Sequence, residues 1–457
     1  MSIRKTYINI FIIVISTFSV DVAAQVGPFS NVVQASDNSP YSFFGLGELS
    51  NPYYSYLQHM GGLGAAFKDA GHINSVNPAS YATLLSASFE TGLYGEYSTL
   101  TEGQNSFSSW NGNLNYFALA FPLVNPINDL LDRKERKYDL GMAFSLQPYT
   151  TVGYDITSTE QVDNIKGVTR NYVGNGGTYA FKWGNSIKIK DFSAGVNLGY
   201  LFGSIGTDRT VRLDSLGFSF HNAEFANSHI SGFLWNAGVQ YDYTLNQAEL
   251  DESKGARRKY ITFGAYGNTK SNFNTTNDVL FLTVRDEFDV QAFATDTIIN
   301  VIDSLGSGKT PATIGIGAMY YDGNRMGIGF NFEYQGWSAY ENEINPMSLT
   351  NAYTISVGGF IRPDPQSFTN YLKRIHYQLG AFYSKQPTSS SIGEVTSFGI
   401  STGLELPFNY QRRASSANIG VTFGTSGRGT TISENFIRFN FGFTFNSSEW
   451  FIKRKYN

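Results

Sequence analysis

The fold is decided by a stretch near the carboxyl end, IRFNFGFTFN, at residues 437–446. Its apolar side chains, one isoleucine and four phenylalanines, fall on one face, and polar or small residues fall on the other. Such alternation is typical of a β-strand with one buried face. In a soluble sandwich the phenylalanine face would form the core. In a membrane barrel it faces lipid, and the polar face lines the lumen.

The same alternation recurs along the chain and predicts fourteen strands in all. An even number returns both ends of the sheet to one side, as in single-chain outer-membrane barrels. The sequence therefore predicts an all-β fold, a transmembrane antiparallel β-barrel of about fourteen strands that spans residues 85–446. The expected strands are 86–98, 110–122, 138–157, 170–189, 191–212, 217–244, 258–284, 311–322, 325–338, 351–363, 374–386, 393–408, 415–426 and 432–446.

Composition agrees with a barrel and excludes several other classes of protein. Of the 457 residues, 15% are charged and 16% are aromatic, and the net charge is −4. This balance argues against nucleic-acid binding, which normally needs a basic excess. The absence of cysteine (Cys 0) excludes disulfides and thiolate metal sites. A mean hydropathy of −0.21 does not fit a bundle of membrane helices.

The amino terminus has the features of an export signal. Arg4 and Lys5 precede an apolar stretch at 7–20, and Ala23 and Ala24 supply the small residues before a cleavage point. We expect residues 1–24 to be a signal peptide. A membrane anchor is the alternative, but about fourteen apolar residues are short for a span.

Residues 25–84 do not alternate and instead contain short turns rich in glycine. The segment is too short for an independent domain. A barrel of fourteen strands has a lumen wider than its inward side chains fill, and those side chains are here mostly small. We therefore expect 25–84 to form a plug, or hatch, inside the lumen, and 447–457 to be a tail. We place the longer connections outside the cell: 99–109, 158–169, 285–310, 339–350 and 387–392.

Two motifs in this segment carry a family resemblance. The stretches HMGGLGAAFKD, residues 59–69, and NSVNPAS, residues 74–80, resemble the hatch of the FadL family of outer-membrane transporters for hydrophobic compounds. Leu63 and Ser80 depart from the small residues expected there. The stretch 39–48 and the tail are similar to Bacteroidetes members, some of which, such as PorV, serve protein secretion. The hatch-motif residues are Gly61, Gly62, Gly64, Asn77, Pro78 and Ala79.

The resemblance implies passive uptake of hydrophobic, long-chain fatty acid-like molecules, which leave through a lateral gap or past the hatch. Such a ligand needs an apolar pocket. The ligand-binding candidates in the hatch are Phe43, Phe44, Leu46, Leu63 and Phe67. Leu234 and Phe382, which break the polar inward pattern, could assist them. The alternative is that these side chains only attach the hatch to the wall, and Asn77-Pro78 is expected to be a structural turn.

A second function remains open at this level: a barrel subunit, without transport, of a larger outer-membrane secretion or assembly complex. The five histidines have no ligand spacing, and no nucleophile motif occurs, so we expect no enzyme activity, no metal and no cofactor. The expected partners are outer-membrane lipid, a hydrophobic ligand and possible complex subunits. The expected location is the Gram-negative outer membrane.

Overall fold

A computed structural model describes most of the chain. The described residues are 39–124, 137–162, 165–213, 220–253, 255–285, 293–343, 345–389, 394–410, 413–428 and 430–447. The predicted signal peptide and most of the predicted tail lie outside them. Within these residues, no helix is both long and apolar enough to cross a membrane.

Antiparallel strands form one closed sheet, and β18 closes it by pairing with β2. The strands are β1 (Glu48–Leu49), β2 (Ala87–Glu102), β3 (Asn105–Pro122), β4 (Asp139–Val162), β5 (Ile165–Ile189), β6 (Phe192–Leu213), β7 (Phe220–Thr244), β8 (Lys259–Asn268), β9 (Ser271–Arg285), β10 (Phe293–Thr310), β11 (Thr313–Asp322), β12 (Met326–Gln335), β13 (Glu341–Asn342), β14 (Ala352–Ile361), β15 (His376–Lys385), β16 (Thr396–Tyr410), β17 (Arg413–Ser426) and β18 (Ile432–Ser447). One short helix, α1 (Ser55–Gln58), lies before β2, and α2 (Gln247–Glu252) lies between β7 and β8.

The wall of the barrel has fourteen strand positions, which we call staves, and this confirms the predicted fold class. Twelve staves are single strands, and each of the other two consists of two strands in line. Two of the staves are interrupted. β8 and β9 both pair with β7, and together they form one stave with a break at 269–270. β10 pairs with β9, and β11 pairs with β8, so β10 and β11 together form the next stave. Both ends of the barrel sheet, Ala87 and Ser447, lie at one rim, and we call it the periplasmic rim.

For three connections predicted outside the cell, the predicted bounds were too wide, because much of each segment is strand. Residues 293–310 of the expected loop 285–310 form β10, which has three register shifts against β9. These bulges put neighbours such as Ile298-Ile299 and Val301-Ile302 out of alternation, and so the pattern was missed. The loops expected at 99–109 and 158–169 are also mostly strand. There both faces of the strands are polar, so alternation gives no signal.

The outer surface carries an apolar belt on the half of the barrel nearest the periplasmic rim. Phe181, Trp183, Tyr200 and Phe233 project outward, with exposed fractions between 42% and 55%. Such side chains are costly in water and stable against lipid. The inward rows of the same strands are small and polar. The belt therefore places this part of the barrel in the bilayer.

Described residues 39–84 lie in the lumen and form the plug of the predicted fold class. It contains 3₁₀ turns at Pro40–Phe43 and Pro78–Thr83, the short strand β1 and the helix α1. Most residues from 53 to 84 are buried although few are in regular structure. Contacts with the wall therefore hold this segment, which we call the hatch.

Candidate functional site

Inward glycines of the wall form seats for the hatch. A Cβ added at Gly264 would lie 1.9 Å from the Ala65 carbonyl oxygen, and one at Gly141 would lie 2.1 Å from the Tyr81 carbonyl oxygen. Any larger side chain at these positions would displace the hatch backbone. The small inward residues that predicted room for a plug thus make direct contact with it.

Backbone geometry explains why two positions of the hatch motif are glycine. Gly61 and Gly62 adopt φ values of +74° and +92°, a region that glycine enters without steric penalty. A Cβ at Gly61 would lie 2.7 Å from the Ala381 carbonyl oxygen, and one at Gly62 would lie 2.5 Å from the Tyr53 ring. Both glycines are therefore required by the backbone turn and by the space around it.

Asn77 begins a turn of the hatch. Its Oδ1 accepts a hydrogen bond from the Ala79 amide at 3.1 Å and begins the turn at Pro78–Thr83. Its Nδ2 donates to the Ala65 carbonyl at 2.6 Å. Gln240 of β7 donates to the same carbonyl at 3.0 Å. These bonds join the two parts of the hatch motif to each other and to the wall.

A buried cluster of charged side chains, which we call the His72 cluster, anchors the hatch near the periplasmic rim. The His72 ring lies between two carboxylates, with Nε2 3.1 Å from Glu405 and Nδ1 3.4 Å from Glu90. Glu405 also lies 2.5 Å from His376 Nδ1, and the Tyr56 hydroxyl is 3.1 Å from that same nitrogen. The cluster thus links the hatch to β2, β15 and β16.

Electrostatics keep His72 protonated in this setting. Burial acting alone would lower the pKa of His72, but the carboxylates of Glu405 and Glu90 hold it well above its ordinary value of 6.5. In the described residues, no group of three or more His, Asp and Glu side chains is arranged to hold a metal ion. The ion pairs of His72 with Glu90 and Glu405, and of Glu405 with His376, make the cluster an anchor.

A second buried ion pair anchors the hatch to β7. Lys68 pairs with Asp242, whose carboxylate also accepts a hydrogen bond from Thr262 at 2.8 Å. Lys188 lies 3.5 Å from the same carboxylate. Sequence reasoning missed both anchors. The available signal was an acidic residue in an otherwise small or neutral inward row, as at Glu90 and Glu405.

The five predicted ligand-binding residues lie in two packed clusters. Leu63 and Phe67 pack with Tyr56 and Met60. Phe44 and Leu46, with Phe43 beside them, pack against a second group that includes Leu201 of β6, Phe273 of β9 and Trp337. None of the five is among the described residues that line the lumen cavity. Ligand binding by these five stays a prediction.

The lumen contains a cavity of about 390 Å³ between the hatch and the wall. Leu234 and Phe382, the two predicted inward apolar residues, both line it, and so do Gly61 and Gly62 of the hatch motif. The lining also contains many amide and hydroxyl side chains and several charges. The cavity can thus hold a small molecule that has both apolar and polar parts.

One side of the wall is discontinuous beside this cavity. β3 pairs with β4 only between Phe117–Pro122 and Gly141–Leu146. Farther from the periplasmic rim, the described residues of β3 and β4 are not paired by backbone hydrogen bonds. We call this boundary, between residues 105–116 and 147–162, the seam. Pro148, at a bulge in β4, has no N–H for a ladder bond. At the level of the cavity, the wall therefore lacks backbone pairing between β3 and β4.

The hatch partly covers the seam. β1 pairs with the free edge of β4 through Glu48↔Thr151 and Leu49↔Thr150. The Ser39 amide donates to the Gly153 carbonyl at 2.9 Å, and the Ser50 amide donates to the Tyr149 carbonyl at 3.0 Å. Residues 39–51 form this cover, which we call the strap. A few backbone hydrogen bonds thus take the place of the missing β3 ladder.

Comparison with solved structures gives the same fold. A FadL homologue from Pseudomonas aeruginosa has a TM-score of 0.53 at 11% identity, covering 88% of this chain and 99% of that chain. The toluene transporter TbuX of Ralstonia pickettii has a TM-score of 0.51 at 11% identity, with 86% and 98% covered. The toluene transporter TodX of Pseudomonas putida has a TM-score of 0.50 at 11% identity, with 89% and 100% covered. The chain is thus a β-barrel of the outer-membrane type.

Comparison of the sequence with family models gives a match over nearly the whole chain. The model of the BamG family matches residues 9–457. No curated protein matches the sequence.

Proposed function

Since the chain belongs to the BamG family and folds as a plugged outer-membrane barrel, we propose that it lets hydrophobic small molecules enter passively from outside. The observation that carries the proposal is the lumen cavity beside the stretch of wall where β3 and β4 are not paired. Two neighbours of similar fold are described as toluene transporters, and this supports the proposal by analogy. Fatty acid-like ligands and membership of the Bacteroidetes group are narrower predictions from the resemblance.

The route follows from the two boundaries of the cavity. Toward the periplasm, a molecule would have to pass a hatch fixed by two buried ion-pair anchors. Toward the bilayer, it would have to pass only the strap on the edge of β4. Hydrophobic molecules also partition favourably into lipid. We therefore place the exit at the seam, with the strap as the part that moves.

A reversible crosslink tests this route. The chain has no cysteine (Cys 0), so a pair introduced by Glu48→Cys and Thr151→Cys forms the only possible disulfide. These residues are cross-strand partners, and their spacing suits a disulfide. In liposomes, oxidation should slow passage of a fluorescent hydrophobic probe about tenfold, and a reductant should restore it. Equal passage in both states would contradict the route.

A second cysteine pair controls for crosslinking as such. Ser98 and Ser109 are cross-strand partners in the β2–β3 hairpin, with hydroxyls 3.2 Å apart. The variant Ser98→Cys with Ser109→Cys should oxidise equally well and leave passage unchanged. A loss of passage there would show that the assay responds to crosslinks in general.

Native mass spectrometry of the full-length protein, taken from its own outer membrane in mild detergent, tests the function itself. A single barrel that carries a lipid-like adduct supports passage of hydrophobic molecules. An empty barrel with other proteins in fixed stoichiometry would contradict it and favour the complex subunit.

A further inference from the structure

One connection at the periplasmic rim carries large apolar side chains that the protein leaves uncovered. Residues 362–375 join β14 to β15, and we call them the rim loop. Phe368 is 99% exposed and Leu372 is 62% exposed. Exposed apolar groups of this size, on a loop that follows two strands of the belt, indicate contact with an apolar phase outside the protein.

Hydrogen bonds give the rim loop a fixed shape. The Asp364 amide donates to the Lys373 carbonyl at 2.9 Å and so joins the two ends of the loop. The Tyr371 hydroxyl donates to the Pro407 carbonyl of β16 at 3.0 Å. The exposed side chains are therefore presented by a folded loop that is attached to the neighbouring stave.

The rim loop lies beside the lipid-facing surface of the wall. Tyr377 of β15 alternates with the buried, inward residues His376 and Gln378, so its ring points outward. The Tyr377 hydroxyl donates to the Leu372 carbonyl at 3.1 Å, which places residue 372 next to that outward ring. Leu379, the next outward position of β15, is exposed as part of the apolar belt. The loop thus borders the bilayer.

The same loop carries a positive excess. It contains Arg362, Lys373 and Arg374, and Asp364 is its single acidic residue. The Arg374 guanidinium lies over the Tyr371 ring, 5.1 Å from the centroid, and its Nε has no hydrogen-bond partner. In the part of the chain that the structure describes, neither Lys373 nor Arg374 forms an ion pair with a carboxylate. Both charges are therefore available to an anion from outside.

The adjoining turn between β11 and β12 adds to this excess. Arg325 donates from Nε to the Pro363 carbonyl of the rim loop at 2.9 Å, so its positive charge lies against the loop. Asp322, on the same turn, is 3.9 Å from Arg257 on the side away from the loop's own strands. The turn therefore contributes a further cation to the surface.

An occupant that suits this surface has apolar chains and a negatively charged head. A phospholipid of the adjoining leaflet offers both, whereas a soluble anion would leave Phe368 and Leu372 uncovered. Each Lys or Arg near a membrane surface favours anionic lipid about fivefold. Arginine also binds phosphate through several N–H groups at once.

We propose that the rim loop binds anionic phospholipid, with Lys373 and Arg374 at the head group and Phe368 and Leu372 among the acyl chains. The binding selects a class of lipid at the outside of the barrel. It does not depend on passage of any molecule through the lumen.

Native mass spectrometry tests the choice of lipid. The full-length protein is released from nanodiscs that contain equal parts of phosphatidylglycerol and phosphatidylcholine with identical acyl chains. It should retain phosphatidylglycerol about tenfold more often than phosphatidylcholine. Excess inorganic phosphate should leave that ratio unchanged, because the proposed ligand includes the acyl chains. Equal retention of the two lipids, or displacement by phosphate, would overturn the proposal.

Charge variants locate the head group. The double variant Lys373→Gln, Arg374→Gln should lower the retention ratio at least about fivefold. Lys190→Gln is the matched control, since Lys190 is an exposed cation at the same rim with Asp191 beside it. It should change the ratio less than about twofold. An unchanged ratio in the double variant, with folding verified by heat-dependent gel mobility, would refute the site.

A fluorescent label tests whether the apolar part of the loop enters the bilayer. The chain has no cysteine (Cys 0), so Phe368→Cys gives a single attachment site for an environment-sensitive dye. Lipids with a nitroxide on the acyl chain should quench this dye at least about threefold more than the same dye at Glu252→Cys, on the fully polar α2 of the same rim. Equally weak quenching at both positions would contradict insertion of the loop and overturn the proposal.

Discussion

The hatch is held differently at the periplasmic rim and at the seam. Near the rim, His72 and Lys68 form buried ion pairs with three strands of the wall. At the seam, the strap meets β4 through backbone hydrogen bonds and two cross-strand residue pairs. Breaking a buried charge pair is far more costly than breaking a backbone bond that water can replace. The strap is also held by the buried side chains of Phe44 and Leu46, which pack against the wall. Charge pairs thus anchor the hatch at the rim, whereas backbone hydrogen bonds and apolar packing hold it at the seam.

The largest loss of stability is expected from substitution of Glu405, which pairs with both His72 and His376. Glu405→Ala leaves both imidazoles without this carboxylate in a buried site. The free energy of unfolding should fall by about 3 to 5 kcal/mol, the usual penalty for breaking a buried pair. Urea unfolding in detergent, followed by tryptophan fluorescence, measures this change.

A surface ion pair serves as the control. Glu394 pairs with Lys385 and is 68% exposed. Glu394→Ala should therefore change stability by less than about 1 kcal/mol. If both alanine variants had the same unfolding midpoint, the view of the His72 cluster as the main anchor would be wrong.

A smaller effect is expected from filling a glycine seat. A Cβ at Gly403 would lie 2.3 Å from Nδ1 of His59, which is fixed 2.9 Å from Gln378. Gly403→Ala should cost about 1 to 3 kcal/mol, because the buried ring cannot move away without strain. At Gly95 the nearest atom would be 4.0 Å away, so Gly95→Ala is the matched control. Equal stability of the two variants, measured by urea unfolding, would show that the seats do not fix the hatch.

The His72 cluster should also make hatch anchoring depend on pH. The pKa of His72 is raised in the folded protein, by Glu405 and Glu90 against the opposing effect of burial. The contribution of protonated His72 to the free energy of unfolding is therefore complete below the pKa of His72 in the unfolded chain, about 6.5. It is lost as the pH rises through the raised pKa of His72 in the folded protein.

The free energy of unfolding, measured with urea at increasing pH, should fall as the pH rises above about 6.5, by up to about 1.4 kcal/mol per pH unit. His72→Gln should remove that part of the slope. An identical alkaline slope in this variant would assign the titration to another group.

These contrasts also show what the sequence could reveal. Alternation as in IRFNFGFTFN predicted every stave in contact with lipid, because lipid on one side and a small-residue lumen on the other impose a strict period. Above the bilayer that constraint ends, and β10 was missed. The plug was predicted from its lack of alternation. Its anchors were not, because the pairing of His72 with Glu90 and Glu405 depends on how a non-repeating segment is placed in the lumen.

The smallest effect is expected in the strap. The Ser42 hydroxyl accepts a hydrogen bond from the Gly153 amide at 3.1 Å and donates one to the Ser39 carbonyl at 2.6 Å. Ser42→Ala should weaken strap docking by about 1 kcal/mol, about a fivefold shift in its equilibrium. In the Glu48→Cys, Thr151→Cys background, the disulfide should then form several times more slowly.

Global stability should not follow that change, and this distinguishes the strap from the rim. The urea midpoint of Ser42→Ala should stay close to that of the parent, whereas Glu405→Ala lowers it strongly. Ser108→Ala, which removes an exposed hydroxyl pair with Thr99 in the β2–β3 hairpin, should change neither measurement. If Ser42→Ala instead lowered the midpoint as much as Glu405→Ala, strap and anchors would unfold as one unit. The seam could then not open while the rim stays closed.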